Sequence, residues 1–325
     1  MAAWLYEEGI GENRAIRVEQ GEIVEAVIEL PGTAGPGAVV EARLIDVQQP
    51  GRRGLVRLDS GDEAILTPIP AGVTEGATLR VEVVREPLPE TGRAKRAKVR
   101  PSDAPLRPAP PLAERIGGWV PSAPGRIDMF EQAGWSELIE SAETGEISFA
   151  GGALRMSLTP AMTLFDVDGV LEPAALAVAG ARAAGQAIRR FAIGGSIGID
   201  LPTLPAKADR LKAAEALDAV LPQPFERTAV NGFGFLQVVR RRERRSIPEI
   251  VQADPVGSAA RALLRRAERA GPGALLLVAA PAVTARIEAE QAWVEALQRR
   301  IGGAIALQAD AGQPISAGYV HHRQS

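Results

Sequence analysis

The sequence predicts a mixed α/β (α+β) chain with a small β-barrel inserted near the N-terminus, an α/β sheet domain after it and a small C-terminal α/β domain. Three observations predict this class. Between Ala38 and Val84, short apolar runs alternate with glycine turns and no helical period intervenes. Between Met162 and Pro202, an apolar run, an Ala-rich helical stretch and a second apolar run follow one another. Beyond residue 255 the pattern reads helix, strand, helix, strand.

Residues 14–30, "RAIRVEQGEIVEAVIEL", alternate apolar and polar around Gln20-Gly21, which predicts a β-hairpin. "PGTAGPG" then breaks the chain, so residues 1–34 form an N-terminal β segment expected to pack on the sheet domain. The runs "AVVEARLIDV", "GLVRL", "EAILTPI" and "ATLRVEVVRE" are short strands that fit a barrel of the OB type over 35–100. Such barrels hold single-stranded nucleic acid by stacking bases on aromatics. No aromatic residue stands between Tyr6 and Trp119, so binding by this barrel rests on charge. Residues 101–125, rich in Pro and Ala, predict an extended linker. "IDMFEQAGWSELIESAETG" predicts an amphipathic helix stopped by Gly145, and "EISFAGGALRMSLTPAMTLFDVD" predicts consecutive strands.

The strand Met162–Val167 leads to Asp166 and Asp168. A helix follows, with Pro173 in its first turn and Gly194-Gly195 after its last, and then the strand "SIGIDLP" carrying Asp200. A strand–helix–strand unit of this length needs a crossover, so its strands run parallel in one sheet. If the two are neighbours, Asp166 and Asp200 emerge at the same C-terminal edge, where ligands bind in such sheets. "ADRLKAAEALDAVLPQ" predicts a helix, and "FERTAVNGFGFLQVVRRRER" a turn and a strand running into arginines, with Arg240 and Arg242 on one face. The sheet domain is expected over 126–255 and the small terminal domain over 256–325.

Composition narrows the chemistry. The 325 residues are 46% hydrophobic and 24% charged, enough for two or three domains with a real core. The absence of Cys excludes disulfides, thiolate zinc sites and Cys nucleophiles. His321 and His322 stand close to the end, in an expected disordered tail. Catalysis therefore rests on carboxylates, hydroxyls, Lys and Arg, or a metal held by oxygen. The first residues lack the pattern of a signal peptide, and the longest apolar run, "GALLLVAAPAV", is too short for a bilayer, so the expected compartment is the cytoplasm. The net charge of −3 argues against a protein coated with nucleic acid but allows a local groove. "GRAKRAKVR" and "RRRERR" are the two basic clusters.

The stretch "TLFDVDGVL" (Thr163–Leu171) admits three readings. It matches the nucleophile loop of haloacid-dehalogenase phosphatases, with Asp166 attacking phosphate and Asp168 as acid/base. That family also needs a Gly-Asp-x-x-x-Asp metal motif, and no Gly-Asp pair follows Asp168. The aspartates could instead hold magnesium, or Asp168 could serve as a local turn or helix-start acceptor. Carboxylates that meet at one sheet edge repel unless a cation or proton intervenes, and magnesium takes one or two carboxylates, several waters and a phosphate.

The order of segments resembles the ribonuclease E/G family. There, an Asp-Val-Asn strand leads through a helix to Gly-Gly, four further residues and Asp; "FDVD" (Phe165–Asp168) and "IGGSIGID" (Ile193–Asp200) stand in those positions. "GFGFLQVVRRR" (Gly232–Arg242) is similar to the family's Phe-Gly-Leu segment with its two arginines, and "GATLRVEVVREPLPETGRAKRAKVR" to the end of its barrel. The resemblance implies an RNase H/DNase I-like catalytic sheet and a magnesium-dependent endoribonuclease acting on single-stranded RNA. It makes Asp166 and Asp200 metal ligands, makes both of them and Asp168, at the family's Asn position, catalytic residues, and sets Arg240, Arg242, Arg93 and Lys95 along the RNA. Three departures accompany it. The 5′-end-sensing region is reduced to a linker and one helix, so no 5′-monophosphate pocket is expected. The paired-cysteine zinc link between subunits is absent, so no zinc site is expected and any oligomer is held otherwise. Leu55 and Ile65 stand where the barrel would offer aromatics. Two functions stay open at this point, an active ribonuclease and an RNA-binding or regulatory protein derived from one.

Overall fold

The computed structural model describes residues 3–32, 35–89, 95–121 and 127–323. The chain divides into two compact units, one of Met1–Pro31, Ile116–Thr144 and Ile250–Ser325, the other of Gly32–Arg115 and Gly145–Glu249. The N-terminal β segment thus shares a unit with the C-terminal segment, across the domain boundaries that the sequence suggests.

The predicted hairpin forms from β2 (Asn13–Glu19) and β3 (Glu22–Glu29), and β1 (Trp4–Glu8) adds to it antiparallel. Then β4 (Val39–Gln49), β5 (Arg53–Leu58), β6 (Glu63–Leu66), β7 (Thr78–Arg85) and β8 (Ala97–Pro101) close a barrel of order β4-β5-β6-β8-β7, OB-like as the spacing of the short strands predicts. Its interior is fully buried Leu44, Val56, Leu66, Val81 and Val99. Leu55 and Ile65 face each other across β5 and β6, half-buried on the outside.

Residues 101–125 are not a free linker. Val39 and Arg107 exchange backbone hydrogen bonds of 2.9 and 3.0 Å, and Ala109 packs against the barrel core. Leu112 is buried at the start of α1 (Leu112–Ile116), and β9 (Trp119–Pro121) pairs parallel with β1. Proline favours an extended chain but does not prevent that chain from packing. The positions 122–125 lie outside the described residues. The single helix expected over 127–145 is two, α2 (Met129–Gln132) and α3 (Trp135–Thr144), divided at Gly134 with φ +90°.

A six-stranded mixed sheet follows. Its elements are β10 (Glu146–Phe149), β11 (Gly152–Leu158), β12 (Thr163–Gly169), α4 (Pro173–Arg190), β13 (Gly195–Asp200), α5 (Lys207–Asp218), β14 (Glu226–Arg227) and β15 (Phe235–Arg240). The strand order is β10-β11-β12-β13-β15-β14, with β12 and β13 parallel and joined through α4 as the crossover rule requires. Helix α4 lies so close to β12 that a Cβ at Gly180 would meet Val167 Cγ1 at 2.4 Å. Gly180→Ala is therefore expected to lower stability by about 1–2 kcal/mol, because overpacking outweighs the gain in helix propensity. Since Val167 sits between Asp166 and Asp168, the same variant should weaken whatever those carboxylates bind; thermal unfolding and metal titration check both effects.

The chain ends with α6 (Ile247–Ala253), α7 (Pro255–Arg269), β16 (Leu275–Ala279), α8 (Pro281–Ala289), α9 (Gln291–Ile301), β17 (Ile305–Ala309) and β18 (Tyr319–His322). Leu263, Leu264, Leu275, Leu277, Ile287 and Leu297 make its core. The expected disordered tail is corrected: His321 and His322 lie in β18, which pairs antiparallel with β16. Among the described residues no helix is long and apolar enough to cross a membrane.

Candidate active site

Strand β12 obeys the two-residue period: Thr163, Phe165 and Val167 are buried, whereas Asp166 and Asp168 are exposed on the opposite face. Strand β13 buries Ile197, Gly198 and Ile199 and ends in exposed Asp200. The parallel register sets Asp166 beside Asp200, one strand spacing of about 4.8 Å apart along the sheet. The sequence made this pairing conditional on the two strands being neighbours, which they are.

The pairing extends into a row. Glu146 pairs with Arg155, Arg155 with Asp166, Asp166 with Asp200, and Asp200 with Phe235. Paired residues project from the same face, so one acid–base–acid–acid–aromatic line crosses five strands. Leu164 and Phe235 flank Gly198 so closely that a Cβ there would meet each at 2.7 Å. Two like charges side by side are unfavourable, and the only cation in the row, Arg155, is turned elsewhere. Its Nε lies 3.6 Å from Glu146 Oε1 and its Nη1 3.9 Å from Asp168 Oδ2. All three partners are more than half exposed, so these pairs hold little energy. The Asp166–Asp200 pair offers carboxylate oxygens of the kind that a hard cation takes.

Asp168 remains within β12, paired with Ala153, rather than capping α4; the helix begins after Glu172, which makes no side-chain cap hydrogen bond. Among the described residues, no three His, Asp or Glu side chains gather around one point suited to a metal. Glu146 and Arg155 are absent from the sequence-based candidates. The alternation in "GALRMSL" signals an outward Arg155, but only the register shows that it faces Asp166.

The arginines stand elsewhere. Because β15 runs antiparallel to β13, its C-terminal end meets the N-terminal end of β13, and Arg240 pairs with Gly195. Five residues of strand, roughly 17 Å, separate that position from Asp200. Arg240 Nη1 donates to the Ile193 carbonyl at 3.2 Å. The expectation that Arg240 and Arg242 share a strand face is corrected: β15 ends at Arg240, and Arg242 is ion-paired with Glu249. Glu249 also accepts from the amide and hydroxyl of Ser246 at 2.8 Å each, so this pair fixes the start of α6. Lys95 exchanges backbone hydrogen bonds with Leu88 on the barrel, and Arg93 lies outside the described residues.

No protein-family model and no curated protein matches the chain.

Proposed function

We propose that this protein is a magnesium-dependent endoribonuclease of the ribonuclease E/G type that acts on single-stranded RNA. The observation that carries the reading is the register placing Asp166 beside Asp200 on an exposed sheet face. The donor set fits the ion, since magnesium is content with one or two carboxylates, completes its shell with water and takes a phosphate oxygen. When bound, magnesium supplies an activated water and neutralises charge gathering on the attacked phosphate. The chain's own residues orient and balance. Asp166 and Asp200 would hold the ion, Phe235 is the strand partner of Asp200, and Arg155 brings positive charge to the same row. Asp168 lies within ion-pair distance of Arg155, at 3.9 Å. In this reading the carboxylates on the exposed sheet face and water carry the acid–base chemistry.

Internal cleavage of a labelled single-stranded RNA should appear with magnesium and vanish with EDTA. Substrates with 5′-monophosphate, 5′-triphosphate and 5′-hydroxyl ends should be cut at equal rates, because the sequence predicts no 5′-monophosphate pocket. Cleavage undiminished by EDTA contradicts the reading.

One observation favours a second function, RNA binding without turnover. The third carboxylate, Asp168, faces Arg155 rather than completing a cluster with Asp166 and Asp200. That alternative expects saturable RNA binding and no magnesium-dependent products.

A further inference from the structure

We infer that Phe233 is a nucleobase-stacking residue beside the carboxylate pair, so that the site takes an unpaired base next to the phosphate it attacks. The inference rests on the ribonuclease reading and adds the part of the substrate that is recognised.

The barrel has no aromatic residue to offer a base, as its sequence shows. Among the described residues of the unit that carries the carboxylates, Phe165 and Phe191 are buried and Phe149, Phe225 and Phe235 are half-buried. Phe233 is 83% exposed. A lone exposed phenylalanine is ordinary; one presented by a rigid turn at this position is not.

The turn is held throughout. Asn231 Oδ1 accepts from the amides of Phe233 and Phe235 at 2.9 and 3.0 Å. Asn231 N donates to the Phe235 carbonyl at 3.0 Å, and Gly234 N donates to the Asn231 carbonyl at 3.1 Å. The turn is also tied to the end of β13: Leu201 N, directly after Asp200, donates to the Gly234 carbonyl at 3.2 Å. Gly234 has φ +96°, and a Cβ there would lie 2.1 Å from the Leu201 carbonyl oxygen, so only glycine closes this contact. Phe233 therefore projects from a fixed backbone two residues before Phe235, the strand partner of Asp200.

A ring held in water by a prearranged turn loses little freedom when a flat apolar surface covers it. Every base has such a surface, whatever its sequence, and base–aromatic stacking tolerates all four. A duplex hides those faces, so the substrate must present an unstacked base. Exposed Val170, which follows β12 at 93% exposure, widens the apolar rim of the same sheet edge.

The test is binding measured apart from cleavage. Fluorescence anisotropy of a labelled 12-nucleotide single-stranded RNA in EDTA gives the affinity of the full chain. Phe233→Ala and Phe233→Leu should weaken it about tenfold, and Phe233→Trp should keep it, in line with the usual worth of one stacked base. An oligomer with abasic positions should lose the same factor on the wild type and nothing further on Phe233→Ala. The unfolding midpoint should not move, because the ring touches water. Equal affinity of Phe233→Ala and wild type overturns the inference, as does wild-type RNA binding too weak to measure. The outcomes separate the two proposals. Cleavage by the wild type with no loss of binding in Phe233→Ala removes stacking and leaves the nuclease. Base-dependent binding without magnesium-dependent products removes the nuclease and leaves stacking.

Discussion

Glu12→Gln is expected to cost about 3–5 kcal/mol of stability, the usual penalty for removing one partner of a buried ion cluster. Glu12 is 3% exposed, in the turn between β1 and β2, where its carbonyl accepts from Gly9 N at 2.9 Å. Its carboxylate accepts from Arg261 Nε at 2.8 Å and is ion-paired with Arg265, both from α7. A second cluster lies in the same unit: Glu7 accepts from Arg14 Nη2 at 3.0 Å, and Asp128 is ion-paired with Arg269 at 3.0 Å. Burial raises the Glu12 pKa, but the guanidinium groups of Arg265, Arg261 and Arg14 together outweigh it and hold the carboxyl below its ordinary value. A group whose folded pKa is depressed stabilises the fold above its unfolded pKa, near 4.3, and loses that contribution as pH falls through the folded value. The wild type should therefore weaken from about pH 5 downward, and its advantage over Glu12→Gln should shrink over the same range. Urea midpoints of both proteins at pH 7 and pH 3.5 check this. A constant gap between them would falsify the assignment of that acid loss to Glu12.

Asp166→Asn and Asp200→Asn are each expected to reduce cleavage at least a hundredfold, since even outer partners of a metal cost about 10–100-fold when removed. Each change leaves the side-chain shape intact on an exposed face, so folding should be unaffected and the unfolding midpoint equal to that of the wild type. RNA affinity measured in EDTA should persist. Asp168→Asn, which installs the residue that the ribonuclease E/G resemblance expects, should retain activity while freeing Arg155 from one of its two acidic neighbours. Equal losses in all three variants would point to general loss of negative charge rather than to two metal ligands.

The part of the fold that positions the site was legible because its signals are local. Pro173, the glycines after α4 and two apolar runs define β12–α4–β13, and the crossover rule then leaves only the parallel arrangement. The barrel was legible for the same reason, each short strand ending at its own turn. What escaped depends on partners far along the chain. Trp4 pairs with Trp119, and the extended Pro-rich segment is bound to β4 through Arg107, contacts that no window of neighbouring residues encodes. The arginine run looked like a phosphate groove because Arg240 and Arg242 alternate in sequence. The antiparallel direction of β15 carries them to the far end of β13, and Glu249 takes up Arg242. The short C-terminal strand is similar: its histidines pair with β16 only once that strand is in place. Phe233 lies within a segment similar to the family's Phe-Gly-Leu, yet its exposure and its rigid turn belong to the folded chain.

The most direct measurement is the chemistry of the cut ends. A magnesium ion held by Asp166 and Asp200 would supply an activated water, a nucleophile that needs no neighbouring 2′-hydroxyl. Products made by the wild type in magnesium should carry no 2′,3′-cyclic phosphate, a 2′-deoxy substitution at the scissile nucleotide should still be cut, and Asp200→Asn should make neither product. Cyclic-phosphate ends, or products that persist unchanged in Asp200→Asn, would contradict metal-dependent hydrolysis at the Asp166–Asp200 pair.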